Sequence, residues 1–441
     1  MKSESIERPS WRAGVTRRQW RSLFAANLGW LFDGFETYAL ILTVGSVLAT
    51  LEPDASQSSV AFLSGATIAV TLLGWGIGGI VGGVVADYFG RRRTLLLAIV
   101  LYAVFTGLTA LSWDLTSFLV LRFLTGLALG SEWGTGASLV AEIWPSHARA
   151  KAAGLMQCGL GLGFFIASAC WYVIAPTGPE AWRTMFLIGV LPAFFALWLR
   201  RSVPESEQWE AAAARRRSLR RSRRETLTRE ENSYTRLTLR QIFADPELRK
   251  RTILGSLMSL TTTLAWWGIS TWIPAYVGGV AEKSGADATR WASTAGMIYN
   301  LGGIGGYICF GFIADRWGRR PATMFYFAAS LILTPVLFLW THDLRLVVVV
   351  LVINGFFTLG QYTWMPVWLP ELYPTHLRAT GAAFVFNAAR FVAFLGPLLA
   401  GAIISALGGY GVAATTIGLI YILGLVVAPF TPETRGTELT S

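Results

Sequence analysis

The fold is indicated by residues 122–155, which read RFLTGLALGSEWGTGASLVAEIWPSHARAKAAGL. This stretch is apolar enough to cross a bilayer, yet it carries Arg122 and Glu132 inside the apolar run. Small residues allow a neighbouring helix to approach the backbone closely, and here they recur at Gly126, Gly130, Gly134 and Gly136. An ionisable residue within a membrane helix is costly to bury, so it marks a candidate functional site.

The same stretch ends in a motif that returns in the second half of the chain. The pattern E-x-x-P-x-x-x-R occupies residues 142–149 and again residues 371–378, 229 positions later. A membrane chain that repeats at about half its length is typical of secondary transporters, whose substrate site lies between the two repeats.

The composition is that of a membrane protein. Of the 441 residues, 53% are hydrophobic and 14% are charged, whereas soluble domains carry about 25% charged residues. Apolar windows of about 20 residues, each long enough to span a bilayer, recur along the chain. We predict twelve spans, at residues 22–48, 58–86, 94–112, 115–141, 151–175, 183–200, 252–278, 290–314, 321–341, 345–369, 379–405 and 410–430.

The net charge of +11 is concentrated on one side of the predicted membrane. Lysine and arginine crowd alternate segments, at 2–21, 91–93, 149–151, 201–250, 316–320 and 378, whereas the opposite loops hold mainly Asp and Glu. The positive-inside rule therefore predicts that both termini and the central loop are cytoplasmic. A basic chain could also bind nucleic acid, but these bases are spread along a membrane face, which argues against that partner.

The sequence offers no candidate for catalysis. Three cysteines, Cys158, Cys170 and Cys309, fall in predicted spans without the spacing of a metal site or a disulfide framework. There is no Ser/His/Asp set, no cluster of metal ligands and no phosphate-binding loop. We therefore expect neither an enzyme nor a bound metal or cofactor.

Two carboxyl groups lie inside the first span, at Asp33 and Glu36. Asp33 is about 18 Å from the start of the span at 1.5 Å per residue, which is near the middle of the membrane. Glu36 follows one turn later on nearly the same face. A carboxyl group that alternates between an apolar environment and an arginine partner can take up and release a proton. The alternative is a static ion pair that holds helices together.

The fourth span contains one base and one acid, Arg122 and Glu132. A guanidinium stays charged in any environment and requires an anionic partner, which here could be Asp33, Glu36 or a substrate carboxylate. Glu132 lies beside Trp133 and suits a binding cavity or a proton relay. Its alternative role is a carboxyl group hydrogen-bonded to a neighbouring helix.

A loop motif after the second span, and again after the eighth, carries a family resemblance. Residues 83–93 read GVVADYFGRRR, and residues 311–320 read GFIADRWGRR. The shared pattern G-x-x-x-D-x-x-G-R-[RK] resembles the loop motif of the major facilitator superfamily. Arg122-Phe-Leu-Thr-Gly126 is similar to its R-x-x-x-G signature in the fourth helix. The resemblance implies an all-α membrane protein with twelve transmembrane helices in two pseudo-symmetric six-helix bundles, which rock around a central site.

The resemblance also divides the chain and indicates its gates. The predicted parts are a cytoplasmic tail (1–20), a six-helix bundle (21–200), a basic linker (201–250), a second bundle (251–430) and a cytoplasmic tail (431–441). Charged residues of the repeated loops are predicted to close the cytoplasmic side in one state, with a purely structural turn as the alternative. They are Asp87, Arg91, Glu142, Arg149, Asp315, Arg319, Glu371 and Arg378.

The linker contains the run RRRSLRRSRR at residues 215–224. We expect these arginines to contact anionic lipid head groups. A specific regulatory partner is the alternative.

Comparison of the two halves separates the scaffold from the predicted site. With a shift of 229 residues the gate motif matches itself, but the buried charges have uncharged counterparts: Glu132 falls on Gln361, Arg122 on Leu351, Asp33 on Thr262 and Arg390 on Gly161. Arg390 lies about 18 Å from Arg378, a depth similar to that of Asp33. Because these charges break the symmetry of the repeat, we predict the functional site from them.

Within the superfamily, the chain resembles the organic-anion:proton symporters. Residues 19–21, 31–35 and 130–145 resemble the sialate and short-chain carboxylate branch. DGFE at 33–36 is similar to the aromatic-acid branch, which usually carries a second Asp where Glu36 stands. The sialate porters have extra central spans, whereas this chain has the charged linker in that place.

We predict a secondary transporter that takes up a small organic carboxylate together with protons. Asp33, Glu36 or Glu132 would carry the proton, and Arg122 or Arg390 would hold the anion. The other predicted substrate-binding residues are Gln157, Trp133, Trp267, Gln361, Tyr362, Trp364 and Asn387, although aromatic residues are also ordinary packing in membrane helices.

Two alternatives remain open at this point: a proton-independent facilitator or antiporter of another solute, and a transporter-like membrane sensor that signals through the linker. The expected partners are the organic anion, protons and the lipid bilayer, with no nucleic acid and no cofactor besides the proton gradient. We expect a monomer in the bacterial inner membrane.

Overall fold

The structure, a computed structural model, describes residues 10–192, 194–195, 198, 205–221, 231 and 235–439. Within these residues the chain forms helices, turns and bends, and no β-strand. Five predicted segments fall partly outside them: the cytoplasmic tails at 1–20 and 431–441, the second half of the sixth span, the basic linker at 201–250 and the end of its arginine run at 215–224.

The first half of the chain forms a series of long helices. They are α1 (Arg17–Leu51), α2 (Gln57–Phe89), α3 (Arg91–Thr109), α4 (Leu115–Ile143), α5 (Arg149–Ile174) and the shorter α6 (Ala181–Ile188). The segment that follows contains α7 (Glu207–Arg221) and α8 (Thr238–Ala244).

The second half is more often interrupted. Its helices are α9 (Pro246–Gly268), α10 (Ile273–Lys283), α11 (Ala288–Trp317), α12 (Arg319–Trp340), α13 (Leu344–Thr358), α14 (Trp364–Trp368), α15 (Arg378–Ala388), α16 (Arg390–Ala393), α17 (Leu395–Ala406), α18 (Tyr410–Gly418) and α19 (Ile420–Val427). Short 3₁₀ turns join several of them, for example Gly360–Thr363 between α13 and α14. A single turn residue, Ala389, separates α15 from α16, which begins at Arg390. Discontinuous helices of this kind are typical of transporter binding sites.

Ten helical segments in the described part of the chain are long and apolar enough to cross a membrane. They correspond to ten of the twelve predicted spans. The sixth span begins with α6, and its remainder lies partly outside the described residues. The seventh is α9, which has 23 residues but begins with the polar sequence PELRKR and contains Thr261, Thr262 and Thr263. These polar residues make it less apolar than its neighbours.

Glycines set the closest helix contacts within each half. A Cβ atom placed on Gly126 of α4 would lie 2.2 Å from the Thr71 carbonyl oxygen of α2. The equivalent pair in the second half is α11 and α13, where a Cβ on Gly306 would lie 1.9 Å from the Phe356 carbonyl oxygen. The predicted small-residue packing of the fourth span is therefore present, and its counterpart in the other half packs in the same way.

The two halves touch near both ends of the membrane-spanning helices. The end where α1 begins and where the repeated loops lie is called the terminal face below. Towards that face, a Cβ on Gly83 of α2 would lie 2.6 Å from the Ala383 Cβ of α15. Towards the other end, a Cβ on Gly65 would lie 2.2 Å from the Pro397 carbonyl oxygen of α17. Helix α2 therefore contacts the second half on both sides of the centre of the protein, through α15 at one end and α17 at the other.

The repeated loops have a common backbone form at the terminal face. Gly90 and Gly318 end α2 and α11 with φ angles of 107° and 110°, a conformation that favours glycine. The free amide groups that follow bind a carboxylate in both halves: Glu205 accepts from Arg91 N at 2.9 Å, and Glu433 accepts from Arg319 N at 2.9 Å. A carboxylate at a helix N-terminus is a stabilising arrangement.

Candidate functional site

A small cavity of about 20 Å³ lies between the two halves of the protein. The first half lines it with Trp30, Thr37, Trp75, Leu160 and Phe164, and the second half with Trp266, Trp267, Tyr362 and Arg390. Because both halves contribute, any movement of one half relative to the other would change the cavity.

Arg390 is the cation of this cavity, and it lies between two aromatic rings. Its guanidinium carbon is 4.6 Å from the centre of the Trp75 ring and 4.2 Å from that of Phe386. Nη1 donates a hydrogen bond to the Phe386 carbonyl oxygen at 2.7 Å, whereas Nε has no partner. No carboxylate oxygen of the described residues lies within 4.0 Å of it. The rings offset part of the cost of burying the cation, but its charge stays without an ion pair.

Asp33 and Glu132 form a buried pair of carboxyl groups between α1 and α4. Their exposed fractions are 0% and 2%, and the two carboxyl groups are near enough to interact electrostatically. None of their four oxygens accepts a hydrogen bond from another group in the described part of the chain. Two carboxylates cannot donate to each other, so a hydrogen bond between them requires that one holds a proton. Arg390 and Asp33 are near enough to interact electrostatically.

Glu36 and Arg122 pair with each other inside the first half. The Arg122 guanidinium forms an ion pair with Glu36 and also donates to Thr109 at 2.7 Å and to Thr125 at 3.1 Å. The Phe186 ring lies 4.6 Å from the Arg122 guanidinium carbon. These partners satisfy the anion requirement of Arg122, and neither member of the pair lines the central cavity.

The structure places two of the other predicted substrate-binding residues, Trp267 and Tyr362, in the wall of the cavity. Trp133 and Gln157 lie one layer behind it. The Trp133 ring stacks on that of Phe386, with 3.7 Å between ring centres, and its Nε1 donates to Gln157 Oε1 at 3.5 Å.

The remaining three predicted residues lie outside the cavity wall. Gln361 accepts a hydrogen bond from Thr262 at 2.9 Å, and Trp364 donates to the same hydroxyl group at 2.9 Å. Asn387 donates to the Ala383 carbonyl oxygen at 2.8 Å and faces Gly79 of α2. Thr262, Gln361 and Trp364 therefore form a polar contact within the second half.

Several cavity residues were missing from the sequence prediction. Trp30 lies three residues before Asp33, so the helical spacing contained a signal for it. Thr37 lies one turn after Asp33, so the spacing contained the same signal for it. Trp75 and Phe164 lie in largely apolar helices, and nothing local to them indicates the inward-facing side. Trp266 adjoins Trp267 in the sequence, and the two rings meet at 4.4 Å between centres.

All eight predicted gate residues lie at the terminal face, where most of them contact the other half directly. Glu142 of α4 accepts hydrogen bonds from Arg91 and from Arg378 of the other half, both at 3.1 Å. Asp87 pairs with Arg91 at 2.6 Å and accepts from the Thr380 amide, in the first turn of α15, at 2.8 Å. The carboxylates of the first half thus bind the N-terminal turn of α15.

The second half provides the equivalent contacts. Glu371 pairs with Arg319 at 2.7 Å and with Arg149 of the first half at 3.9 Å. Asp315 forms an ion pair with Lys151 of the first half. Lys151 corresponds to Thr380 under the 229-residue shift. In each half, the aspartate of the repeated loop therefore binds the equivalent position of the other half.

The linker helix α7 adds a third connection across this face. Gln208 accepts from Arg378 at 3.3 Å and donates to the Glu142 carbonyl oxygen at 3.3 Å. Arg216 donates to the carbonyl oxygens of Asp87, at 2.8 Å, and of His376, at 3.1 Å. At least one arginine of the basic run is therefore bound to protein, where the sequence indicated lipid.

The family described as "Sugar (and other) transporter" matches residues 23–441. The chain belongs to this family. Its fold is that of the major facilitator superfamily: the proton:xylose symporter XylE superimposes with a TM-score of 0.77 at 21% identity, covering 96% of this chain and 98% of XylE. The predicted twelve-helix fold is confirmed, as is the prediction of a membrane transporter rather than an enzyme.

Curated relatives extend over almost the whole transporter. The sialic acid transporter NanX of Escherichia coli is 28% identical over 421 residues, which cover 95% of each chain. The cis,cis-muconate transport protein of Acinetobacter baylyi is 26% identical over 426 residues, covering 96% of this chain and 97% of the relative.

Proposed function

We propose that this transporter carries a small organic carboxylate across the membrane together with protons, by alternating access. Arg390 holds the carboxylate, and the Asp33–Glu132 pair carries the coupled proton. The observation that carries the proposal is the buried guanidinium of Arg390 in the cavity wall, which has no ion-pair partner among the described residues. A buried charge of this kind is expensive unless an ion of opposite charge joins it.

The cavity supplies further hydrogen-bond donors that suit an anion. The indole N–H groups of its tryptophans are buried and have no acceptor in the described structure; these residues are Trp30, Trp75, Trp266 and Trp267. Carboxylate oxygens accept such bonds, and bonds to an ionised acceptor are stronger than those between neutral groups. The aromatic rings themselves favour a substrate with a flat or apolar body.

Coupling follows from the competition for Arg390. Asp33 is a carboxyl group that acts electrostatically on Arg390. A bound substrate carboxylate would take over this role and repel a second negative charge nearby. Proton uptake by the Asp33–Glu132 pair would relieve that repulsion, so anion and proton bind favourably together. Glu36 and Arg122 take the alternative role of a static pair that holds α1 to α4.

The relatives support the substrate class. Sialic acid and cis,cis-muconate, the compounds in their names, are organic acids, and XylE couples transport of its substrate to protons. We assign the terminal face to the cytoplasm because the basic residues of the chain crowd there. The gate contacts at this face would then open and close the cytoplasmic side. The transporter would act as a monomer in the inner membrane.

The test is uptake into proteoliposomes with an alkaline interior, against a panel containing sialate, lactate, cis,cis-muconate, benzoate and nicotinate. We expect one or more acids to accumulate and a protonophore to abolish the accumulation. Uptake that ignores the gradient would indicate a facilitator, and binding without uptake would indicate a sensor. Accumulation of a neutral or cationic solute alone would contradict the role of Arg390.

A further inference from the structure

Gly29 lies in α1 one helical turn before Asp33, on the same face. A Cβ atom placed on Gly29 would lie 1.8 Å from Oε1 of Glu132, 3.1 Å from its Cδ and 3.9 Å from its Cγ. The three nearest atoms all belong to the Glu132 side chain. The carboxyl group of Glu132 therefore occupies the space that any side chain at position 29 would fill.

This contact differs from those of the glycines that pack α1 against α5. A Cβ on Gly34 would lie 2.5 Å from the Leu160 carbonyl oxygen, and a Cβ on Gly163 would lie 2.0 Å from that of Leu31. Those glycines bring backbones together, so a methyl group there would push α1 and α5 apart. At Gly29 the neighbour is the end of a flexible side chain, which can move without moving a helix.

We propose that Gly29 is a positioning residue for the coupled proton: its missing side chain leaves a recess in α1 that holds the Glu132 carboxyl group against Asp33. The inference rests on the proposed function, in which this pair carries the proton. Without the recess, Glu132 would still be buried in α4, but its carboxyl group would turn away from Asp33. The two groups would then bind protons independently instead of sharing one.

The Gly29→Ala variant tests this directly, because the added methyl group takes the place of the carboxyl oxygen. Gly45→Ala is the matched control: it lies in the same helix, and nothing lies within 4 Å of its added Cβ. Both proteins are purified, checked for monodispersity and helical content, and examined by pH-difference infrared spectroscopy without substrate. Asp33→Asn and Glu132→Gln assign the carboxyl bands.

We expect wild type and Gly45→Ala to share one set of carboxyl bands, whereas Gly29→Ala loses the band of the hydrogen-bonded pair. Wild-type bands in a folded Gly29→Ala protein would overturn the proposal. If Gly29→Ala fails to fold, Gly29→Ala/Glu132→Asp should fold, because the shortened side chain has its carboxyl carbon near the former Cγ position, 3.9 Å from the methyl group. Failure of that variant too would mean that Gly29 is needed for backbone packing and would also overturn the proposal.

A double-mutant cycle on the pH profile of uptake separates positioning from general damage. With the acid that the uptake panel identifies, Gly29→Ala should change the profile in the wild-type background and add nothing in the Glu132→Gln background. Equal effects in both backgrounds would show that Gly29 acts independently of Glu132. Failure of the proposed function is distinguishable, since Asp33→Asn would then leave proton-driven accumulation intact while the infrared result still decides the role of Gly29.

Discussion

Replacing Arg390 with lysine retains the positive charge of the cavity but removes the planar guanidinium that Trp75 and Phe386 enclose at 4.6 and 4.2 Å. One guanidinium nitrogen already donates to the Phe386 carbonyl oxygen at 2.7 Å, which leaves the others for a ligand. A guanidinium can bind a carboxylate with two parallel bonds, whereas an ammonium group acts as a point charge. The substitution should therefore cost at least one charge-assisted hydrogen bond to the substrate.

Such a bond contributes about 1.5–3 kcal/mol, so we expect the affinity for the transported acid to fall about 10- to 150-fold. The assay is calorimetric binding in detergent, together with the KM of uptake into proteoliposomes. Because the charge remains, the effect should appear in affinity while the protein stays folded.

The matched control is Arg183→Lys, remote from the cavity wall. Arg183 also lies over a tryptophan, Trp182, at 4.2 Å and donates to carbonyl oxygens, those of Ala110 and Ser112, at 2.7 and 2.8 Å. It should reproduce any general cost of exchanging a guanidinium on an aromatic ring and leave binding unchanged. Wild-type affinity of Arg390→Lys would refute the assignment of Arg390, and an equal loss in both variants would attribute the effect to stability.

Three further predictions concern the proton, the gate and the packing. Asp33→Asn should abolish accumulation driven by the pH gradient and spare substrate counterflow, measured in the same vesicles; undiminished accumulation would remove Asp33 from coupling. Glu142→Gln removes the negative charge that joins Arg91 to Arg378 and leaves a neutral acceptor, so the open population of the terminal face should rise about tenfold or more, the equivalent of about 1.4 kcal/mol. Electron-resonance distances between labels at Arg93 and Arg316 would record it, and an unchanged distribution would contradict the gate. Gly34→Ala should destabilise the protein by about 1–3 kcal/mol through its backbone contact with Leu160, seen as a lower Tm than that of Gly45→Ala; equal Tm values would show that α1 and α5 can separate at no cost.

The sequence contained enough to predict the transporter family and the group of charges at the terminal face. The loop motif and its copy are local patterns, and their spacing identifies which charges meet at one membrane surface. The lengths of the apolar stretches predicted the spans. They did not predict the breaks between helices at Gly360–Thr363 and Ala389. Those breaks depend on how the segments pack against their neighbours.

The sequence also placed Asp33 and Arg390 at similar depths, because depth follows from counting residues along a helix. It left open which acid Arg122 binds, and the structure pairs it with Glu36 inside the first half. Depth alone could not distinguish these candidates. The rotation of each helix about its own axis decides which side chains meet.

Tertiary structure alone decided that rotation, and with it the walls of the cavity. A helix that is apolar on every side has no sequence pattern that marks its inward face, so Trp75 gave no indication that its ring lies against Arg390. The role of Gly29 is likewise invisible in the sequence, where it is one of 46 glycines. Only the packing of α4 against α1 brings the Glu132 carboxyl group into the space that Gly29 leaves empty.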